Sequence, residues 1–418
     1  MVKRIVAIVF IFVCASVAWA ILGGTIFSRT YDLNAVSENR VASTWGTPQN
    51  QAPPAASFQQ VNTKKEESSE NGKKIVRNVE EKVQAPLTLE SSRIDVVLDL
   101  EHRQKGLLWY STYKVNFGGV YVFHNPSDKE QSVTFTLDFP ASKAIYDDLI
   151  FTVDNQPVSV TNEKNTANGV SKVAAGKTAT LKVGYHSQGL NEWRYSFGAG
   201  DVAQVHDFAL NMKTNFKDID FPDNTLSPPE KHETANGWDL NWSFKNLVSG
   251  YQIAMVMPEK LQPSPLAGKI SFFAPVSLFF FFFLMFIITT MRGIELHPMN
   301  YFFLAAAFFS FHLLLAYLVD HVSIHTAFAV SSAASVFLVV SYLRLVVGIQ
   351  FASREAAIAQ FVYLVMFSYA FFLKGFTGLA ITIGSVVTLF VVMQVTGRIR
   401  WTDKFAVKPA SEPGGQLS

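Results

Sequence analysis

One histidine lies deep inside the hydrophobic C-terminal part of the sequence. His312 is embedded in a long apolar stretch, and an ionisable residue inside a membrane span is a functional candidate because its burial in hydrocarbon is costly. A proton or ion path through His312 is one interpretation. The alternative is that the neutral imidazole hydrogen-bonds to a serine of a neighbouring span, such as Ser331, Ser332 or Ser335, since neutral histidine is far less costly to bury than a charge. The sequence leaves both open.

A short polar segment follows the same stretch. Asp320, His321 and His325 lie together at its end, where they could bind a transition metal or relay protons with His312. Two histidines and one aspartate from a short loop are a weak metal signature. A solvated loop is the favoured interpretation, and we predict no metal and no cofactor.

The polar N-terminal two-thirds contains few chemical signatures. Asp218, Asp220 and Asp223 could hold Ca²⁺ through oxygen ligands, but a polar turn is favoured. An aromatic cluster could bind a glycan or peptide, although a buried core is favoured: Trp109, Tyr110 and Tyr113. No nucleophile elbow, H-E-x-x-H sequence or phosphate-binding loop is present. We therefore predict a protein that is not an enzyme.

Composition indicates a membrane protein. Hydrophobic residues make up 49% of the chain and charged residues only 16%, whereas soluble domains have about 25% charged residues. Many of the 37 phenylalanines follow position 270. The net charge of +2 gives no attraction to nucleic acid, and the single cysteine, Cys14, excludes a disulfide within the chain.

The first apolar segment, 5–27, is long enough to span a membrane. A cleaved signal peptide is the alternative, because Ala18-Trp19-Ala20 has the small-x-small pattern of a cleavage site. The apolar run continues past this pattern, which favours an uncleaved anchor.

Five further apolar windows, expected to be helices, follow at about 272–291, 298–319, 324–347, 356–374 and 376–396. Lys and Arg accumulate on the cytoplasmic side of membrane proteins. Lys3 and Arg4 place the N-terminus in the cytoplasm, and six crossings return the C-terminus to the same side. The lipid bilayer is thus the first predicted partner, and the residues between the first two spans are predicted to be periplasmic.

The region between the first two spans changes character along its length. Residues 46–92 are rich in Pro, Gln, Ser, Lys and Glu, which predicts a flexible linker. Period-two alternation follows, as in Val133, Phe135 and Leu137, and predicts a β-sandwich-like domain. A proline-rich link, Pro258 to Pro265, leads back to the membrane. The predicted organisation is an anchor over 1–27, a periplasmic segment with the linker over 28–92, the β domain over 93–262, a five-helix bundle over 270–397 and a cytoplasmic tail over 398–418.

A group of residues around the third span and at the last span forms a recognisable signature: Leu296, His297, Pro298, Met299, Tyr301, Leu313, Leu314, Leu315, Asp320 and His321, with Gly384, Thr396, Arg398 and Trp401 at the last span. This signature resembles that of the CreD family of bacterial inner-membrane proteins. Trp45-Gly46-Thr47-Pro48-Gln49 is similar to a short motif that follows the anchor in this family. The resemblance implies an inner-membrane location and a role in cell-envelope integrity and envelope-stress tolerance, without an established enzymatic activity.

Two functions are compatible with these observations. The leading hypothesis is a non-enzymatic protein whose periplasmic β domain binds a protein or a polymer of the envelope while the bundle anchors it. The alternative is an ion- or proton-coupled transporter that uses His312. No predicted span has the broken-helix pattern of a substrate path, which argues against transport.

Overall fold

A computed structural model describes residues 2–70, 73–106, 108–198 and 202–397, with the backbone alone described at 2, 31–35 and 62–81. The chain forms two compact units. The helical unit comprises Met1–Ala35 and Leu261–Ser418, and the β unit comprises Val36–Lys260. The predicted cytoplasmic tail, 398–418, lies outside the described residues.

Most of the helices coincide with predicted spans, but the first helix continues to Thr44, well past the predicted end of the anchor at 27. They are α1 (Val2–Thr44), α2 (Pro263–Phe272), α3 (Ala274–Arg292), α4 (Pro298–Leu318), α5 (Ile324–Val346), α6 (Ile349–Phe372) and α7 (Thr377–Thr396). Within the described ranges, six helical segments are long and apolar enough to cross a membrane, one in α1 and one in each of α3 to α7. The prediction of a helical membrane part of about six spans is confirmed.

Helix α6 is irregular and begins at Ile349, well before the predicted window. It contains two π-helical turns, Ala352–Ala356 and Phe361–Met366. A π turn inserts an extra residue into a helix and rotates the following side chains, often at a functional site. Gln360 lies between the two turns and is fully buried.

The short helix α2 replaces part of the predicted stiff link. It begins at Pro263, a favourable first-turn residue because proline lacks the N–H that would be unpaired there. A Cβ atom on Gly268 would lie 3.1 Å from Ile26 Cγ2, so glycine permits close packing of α2 on α1. The link is therefore helical where the sequence predicts only stiffness.

The β unit is built from sixteen described strands. They are β1 (Gln49–Gln51), β2 (Ala55–Glu70), β3 (Lys73–Pro86), β4 (Thr88–Lys105), β5 (Leu108–His124), β6 (Gln131–Asp138), β7 (Tyr146–Val153), β8 (Gln156–Pro157), β9 (Val160–Glu163), β10 (Thr166–Val173), β11 (Thr178–Leu190), β12 (Glu192–Tyr195), β13 (Ala203–Thr214), β14 (Glu230–Glu233), β15 (Trp238–Ser249) and β16 (Ile253–Val256). They form an eight-stranded sheet (β14-β15-β13-β4-β5-β11-β7-β8), a five-stranded sheet (β3-β2-β6-β10-β9) and a three-stranded sheet (β1-β12-β16).

One hydrophobic core is shared by the three sheets. The alternating residues Val133, Phe135 and Leu137 of β6 are all buried in it, as the period-two pattern predicts. Phe135 meets Phe123 of β5 edge-on, with 5.8 Å between ring centroids, so the five-stranded sheet packs on the eight-stranded one. The prediction of a β-rich domain is confirmed.

The predicted flexible linker over 46–92 is wrong. Strands β2 and β3 form a long antiparallel hairpin in this region, from Ser57 opposite Pro86 to Glu70 opposite Lys73. The base of β2 also pairs with β6, and its Phe58 is buried in the shared core. The composition of this segment is typical of disorder, yet it forms strands. Hydrogen bonds of the β-ladder do not depend on side-chain hydrophobicity, and the buried Phe58 fixes the base of the hairpin to the core.

Candidate functional site

His312 is fully buried in α4, among aromatic rings. Its ring lies edge-on to Trp19 of α1, with 5.6 Å between centroids, and to Phe311 at 4.8 Å. Neither imidazole nitrogen has a hydrogen-bond partner among the described residues, and the same holds for Trp19 Nε1. Trp19, which the sequence presents only as part of a cleavage-like pattern, therefore packs the first span into the bundle.

The serines considered as partners of His312 make other contacts or none among the described residues. Tyr342 Oη donates to Asn300 Oδ1 at 2.7 Å and Ser335 Oγ to the Ala307 carbonyl at 2.5 Å, which fixes the antiparallel register of α5 on α4. That register places Ser331 close to the level of His312. In the described chain, however, the buried hydroxyls of Ser331 and Ser332 have no partner, so no hydrogen bond from a serine satisfies the imidazole.

A short series of hydrogen bonds connects α6, α5 and α4 near the level of His312. Gln360 Nε2 of α6 donates to Ser335 Oγ at 2.7 Å, and Ser335 donates onward to α4. All three groups are buried, where hydrogen bonds to neighbouring helices satisfy polar atoms that lipid cannot.

The metal or proton-relay group that the sequence offers as an alternative after α4 does not assemble among the described residues. Asp320 pairs with Arg29 of α1 at 3.0 Å instead. His321 is exposed, and the ring of His325 lies over Phe372 with 5.4 Å between centroids. No group of three His, Cys, Asp or Glu side chains that could hold a metal occurs in the described part of the chain. Asp320 thus links two helices.

The signature around His297 builds the start of α4. His297 is the N-cap, and its Nδ1 accepts a hydrogen bond from the backbone N–H of Met299 at 3.2 Å. Pro298 occupies the first helical turn, and Leu296 is buried. Tyr301 is fully buried and meets Phe282 edge-on. These residues set where α4 begins. Two other signature residues, Arg398 and Trp401, lie outside the described residues.

The two weaker sequence candidates in the β unit have plain structural roles. The acidic residues Asp218, Asp220 and Asp223 lie exposed in the turns between β13 and β14. Tyr113 is fully buried and its hydroxyl donates to the Glu192 carbonyl at 2.8 Å, as the core interpretation predicts. Burial raises the pKa of the Tyr113 phenol well above its ordinary value.

A polar depression of about 370 Å³ lies across β4, β5, β11 and β7. Strand register aligns its floor, because Asn116 of β5 lies opposite His186 of β11, which lies opposite Asp147 of β7. One level along, Asp99 of β4 lies opposite Lys114 of β5. These five side chains are exposed, whereas their neighbours along β4, β5 and β11 alternate into the core. The depression therefore occupies the outer face of the eight-stranded sheet.

A β-bulge shapes one wall of the depression. The register between β11 and β7 shifts between Gly184 and His186, and Asp148 has a positive φ of 50°. Bulges redirect side chains and are common beside binding sites. Here Asp148 Oδ2 lies 3.2 Å from His186 Nδ1. A non-glycine residue in this conformation is strained, and the pair gives the depression a carboxylate and an imidazole at fixed separation.

Charge in the depression is mixed. Lys114 Nζ lies 2.7 Å from Glu101 Oε1, and this hydrogen bond holds the pKa of the Glu101 carboxyl below its ordinary value. Ser187, the one hydroxyl-bearing residue among the described lining residues, is buried, and its Oγ accepts from Gln49 Nε2 at 2.8 Å. The hydroxyl is therefore engaged away from His186, and the surface offers hydrogen-bonding groups without a paired nucleophile.

The motif after the anchor supports this surface from behind. Gln49 Nε2 also donates to the Gln188 carbonyl at 2.9 Å. Gly46 lies so close that a Cβ atom on it would be 2.2 Å from the Gln188 oxygen, and its φ is 143°. The guanidinium carbon of Arg103 lies over the Trp45 ring, 3.3 Å from the ring centroid. The motif thus docks on the strand β11 that carries His186 and Gln188.

The depression is the functional candidate that sequence reasoning missed. Its residues occupy outward positions on separate strands, where polar side chains are ordinary. Asp99 and His186 are far apart in sequence, and only the strand order brings them to one surface. The register of these strands, which the sequence does not reveal, was the information needed to find the depression.

The family model of the inner membrane protein CreD matches residues 1–279 and 269–402. No curated protein matches the sequence. Among solved structures, a putative nutrient binding protein from Legionella pneumophila is 9% identical over 56% of this chain and 76% of its own, with a TM-score of 0.32. An M1 zinc metallopeptidase from Deinococcus radiodurans is 12% identical over 41% of this chain and 42% of its own, with a TM-score of 0.25, so the match spans less than half of that enzyme. Likenesses of this size carry no functional argument.

The helices and sheets together define a multi-pass membrane protein with a large β domain inserted between its first and second spans. With a family model matched over nearly its whole length, the chain belongs to the CreD family of inner membrane proteins.

Proposed function

We propose that this inner-membrane protein supports cell-envelope integrity and envelope-stress tolerance by binding a periplasmic protein or an envelope polymer. The observation that carries the proposal is the polar depression on the outer face of the eight-stranded sheet. The resemblance to CreD supplies the physiological theme, and the depression supplies a surface that could serve it.

The proposed topology puts both termini in the cytoplasm and the β domain in the periplasm. Basic residues near the helix ends support it: Arg4 begins α1, Arg292 ends α3, and Arg344 lies in the last turn of α5. Arg292 also pairs with Glu355 of α6. Alternate helices thus carry their cations at the same end of the bundle.

Binding without catalysis fits the chemistry of the depression. Asp99 and Asp147 of the lining accept hydrogen bonds, while Lys114 and Asn116 donate them, so a polar ligand with both kinds of group would be complemented. The Ser187 hydroxyl is bound to Gln49 and does not face the His186–Asp148 pair as a nucleophile would.

The proposal is tested by changing the depression without disturbing the core. Asp147→Asn combined with His186→Ala removes charged and hydrogen-bonding groups from exposed positions, so protein abundance should not change. We expect survival under a membrane-active detergent stress to fall toward that of cells lacking the protein. Asp128→Asn, at another exposed aspartate of the β unit, is the matched control and should keep full tolerance. Unimpaired survival of the double variant at normal abundance would contradict the proposal.

Ion- or proton-coupled transport through His312 is a second candidate function. It is favoured by three buried polar groups without partners in the described chain, namely the His312 ring, the Trp19 indole N–H and the Ser331 hydroxyl. Unpartnered polar groups in a bundle are costly and call for a role. His312→Ala should then abolish stress tolerance at normal abundance, while the exposed-site control His321→Ala should not. Normal tolerance in His312→Ala would remove this candidate.

A further inference from the structure

An arginine at the start of α1 has hydrogen-bond donors without an acceptor in the described part of the chain. Arg4 Nε and Nη2 are shielded from solvent and have no hydrogen-bond partner among the described residues. The guanidinium lies 5.9 Å from the centroid of the Phe286 ring of α3. Shielding these donors is unfavourable unless an anion accepts hydrogen bonds from them, so the position is suited to an anionic group.

An apolar groove of about 480 Å³ adjoins this arginine between α1 and α3. Phe286, under the guanidinium, is also part of the groove lining. Ile8 and Phe282 are buried at its floor, while Val9 and Phe283 are exposed along its rim. The groove is thus open on its outer side and apolar along its length, which suits a hydrocarbon chain.

The length of the groove matches one leaflet of a bilayer. Its lining on α1 runs from Ile5 to Val13, and on α3 from Phe286 back to Phe279. From Arg4 to Val13 a helix rises about 14 Å at 1.5 Å per residue. The hydrocarbon core of a bilayer is about 30 Å thick, so the groove extends over about half of it, the depth that one acyl chain occupies.

We propose that this groove binds one acyl chain of an anionic phospholipid from the leaflet on the N-terminal side, with the lipid phosphate on Arg4. The guanidinium donates charge-assisted hydrogen bonds to phosphate oxygens, and its planar group matches two of them at once. Lys3, exposed beside Arg4, adds a second positive charge. Basic positions beside membrane helices favour anionic headgroups over zwitterionic ones, which carry a cation of their own.

The test is lipid binding to the purified full-length chain, measured by native mass spectrometry. Phosphatidylglycerol and phosphatidylcholine with the same acyl chains are the probes. We expect phosphatidylglycerol to be retained preferentially. Arg4→Gln should weaken its binding about tenfold, since a charge-assisted hydrogen bond in a shielded site is lost. The matched control Lys3→Gln removes an equal charge from an exposed position and should have a much smaller effect.

The groove itself is tested by a second pair of variants. Val9→Trp fills the groove and should reduce phosphatidylglycerol binding, whereas Val6→Trp adds the same bulk at an exposed position of α1 outside the groove lining. Equal lipid binding by Arg4→Gln and the native chain, equal losses in Arg4→Gln and Lys3→Gln, or equal binding by the two tryptophan variants would each overturn the proposal. If Arg4→Gln does not fold, the comparison of Val9→Trp with Val6→Trp is sufficient to test the proposal.

Discussion

Replacement of Gly46 by alanine tests how the motif after the anchor supports the β domain. The new Cβ atom would lie 2.2 Å from the Gln188 carbonyl oxygen and 3.0 Å from its carbon, both backbone atoms that cannot rotate away. The φ of 143° adds strain for any residue with a side chain. Each effect costs about 1–3 kcal/mol. We therefore expect a loss of about 2–6 kcal/mol in the free energy with which the motif is held against β11.

Gly176 provides a control with the same chemical change. Its φ is also positive, at 62°, but a Cβ atom there meets nothing within 4 Å. Gly176→Ala should therefore cost only the conformational penalty, about 1–2 kcal/mol. The difference between the two variants isolates the docking of the motif on β11.

Hydrogen exchange of the full-length protein measures the effect locally. Gly46→Ala should speed amide exchange in β1 and at the end of β11, around Ser187 and Gln188, because the Gln49 hydrogen bonds to both are displaced. Gly176→Ala should leave these amides protected. Equal exchange in both variants would refute the docking argument, since the clash would then have relaxed without consequence.

Two further predictions concern the core and the bundle. Burial raises the pKa of Tyr146 to about 12 and also raises that of Tyr121. Because both folded-state pKa values exceed the unfolded value of about 10, the contribution of each phenol to stability is complete below about pH 10 and is lost as the pH rises above it. The slope is at most about 1.4 kcal/mol per pH unit for the fully buried Tyr121 and smaller for Tyr146, which is partly exposed to solvent screening. Denaturant unfolding at rising pH with tyrosinate absorbance measures this, and native tyrosines that all titrate near pH 10 would contradict it. In the bundle, a double-mutant cycle of Arg29→Ala and Asp320→Asn should give a coupling of about 1 kcal/mol in detergent, because the pair is partly shielded; additive effects would show that the contact contributes nothing.

Most of the helical unit follows from the sequence. Apolar runs of the necessary length predict α3, α4, α5 and α7 within a few residues, since only a helix satisfies the backbone in lipid. The early start of α6 was not predictable, because its first turns carry Ser353, Arg354 and Glu355. Glu355 pairs with Arg292, a tertiary contact that a hydropathy pattern does not contain.

The β unit also has features that the sequence predicts and features that it does not. Alternation predicts individual strands such as β6, because one buried face imposes a period of two. It does not predict which strands become neighbours, and so it misses the row from Asn116 through His186 to Asp147. The hairpin of β2 and β3 was missed for a different reason, since its order comes from backbone pairing in a sequence of polar composition.

The buried histidine shows a third limit. Its position inside a span was evident, but its neighbours were not, because Trp19 lies almost 300 residues away in sequence. The structure does not show the serine hydrogen bond, which was one of the two open interpretations, and places two aromatic edges against the imidazole. Helix adjacency alone could not identify these neighbours.

The most direct measurement of the central claim is site-specific photo-crosslinking in living cells from the depression itself. A photoreactive residue at Asn116, in the floor of the depression, should capture a discrete periplasmic protein or envelope polymer. The same residue at Val248, exposed on β15 away from the depression, should not. Capture that is specific to position 116 and is lost in Asp147→Asn combined with His186→Ala is the predicted result. Identical patterns from the two positions, or no adduct at 116 under envelope stress, would contradict the account.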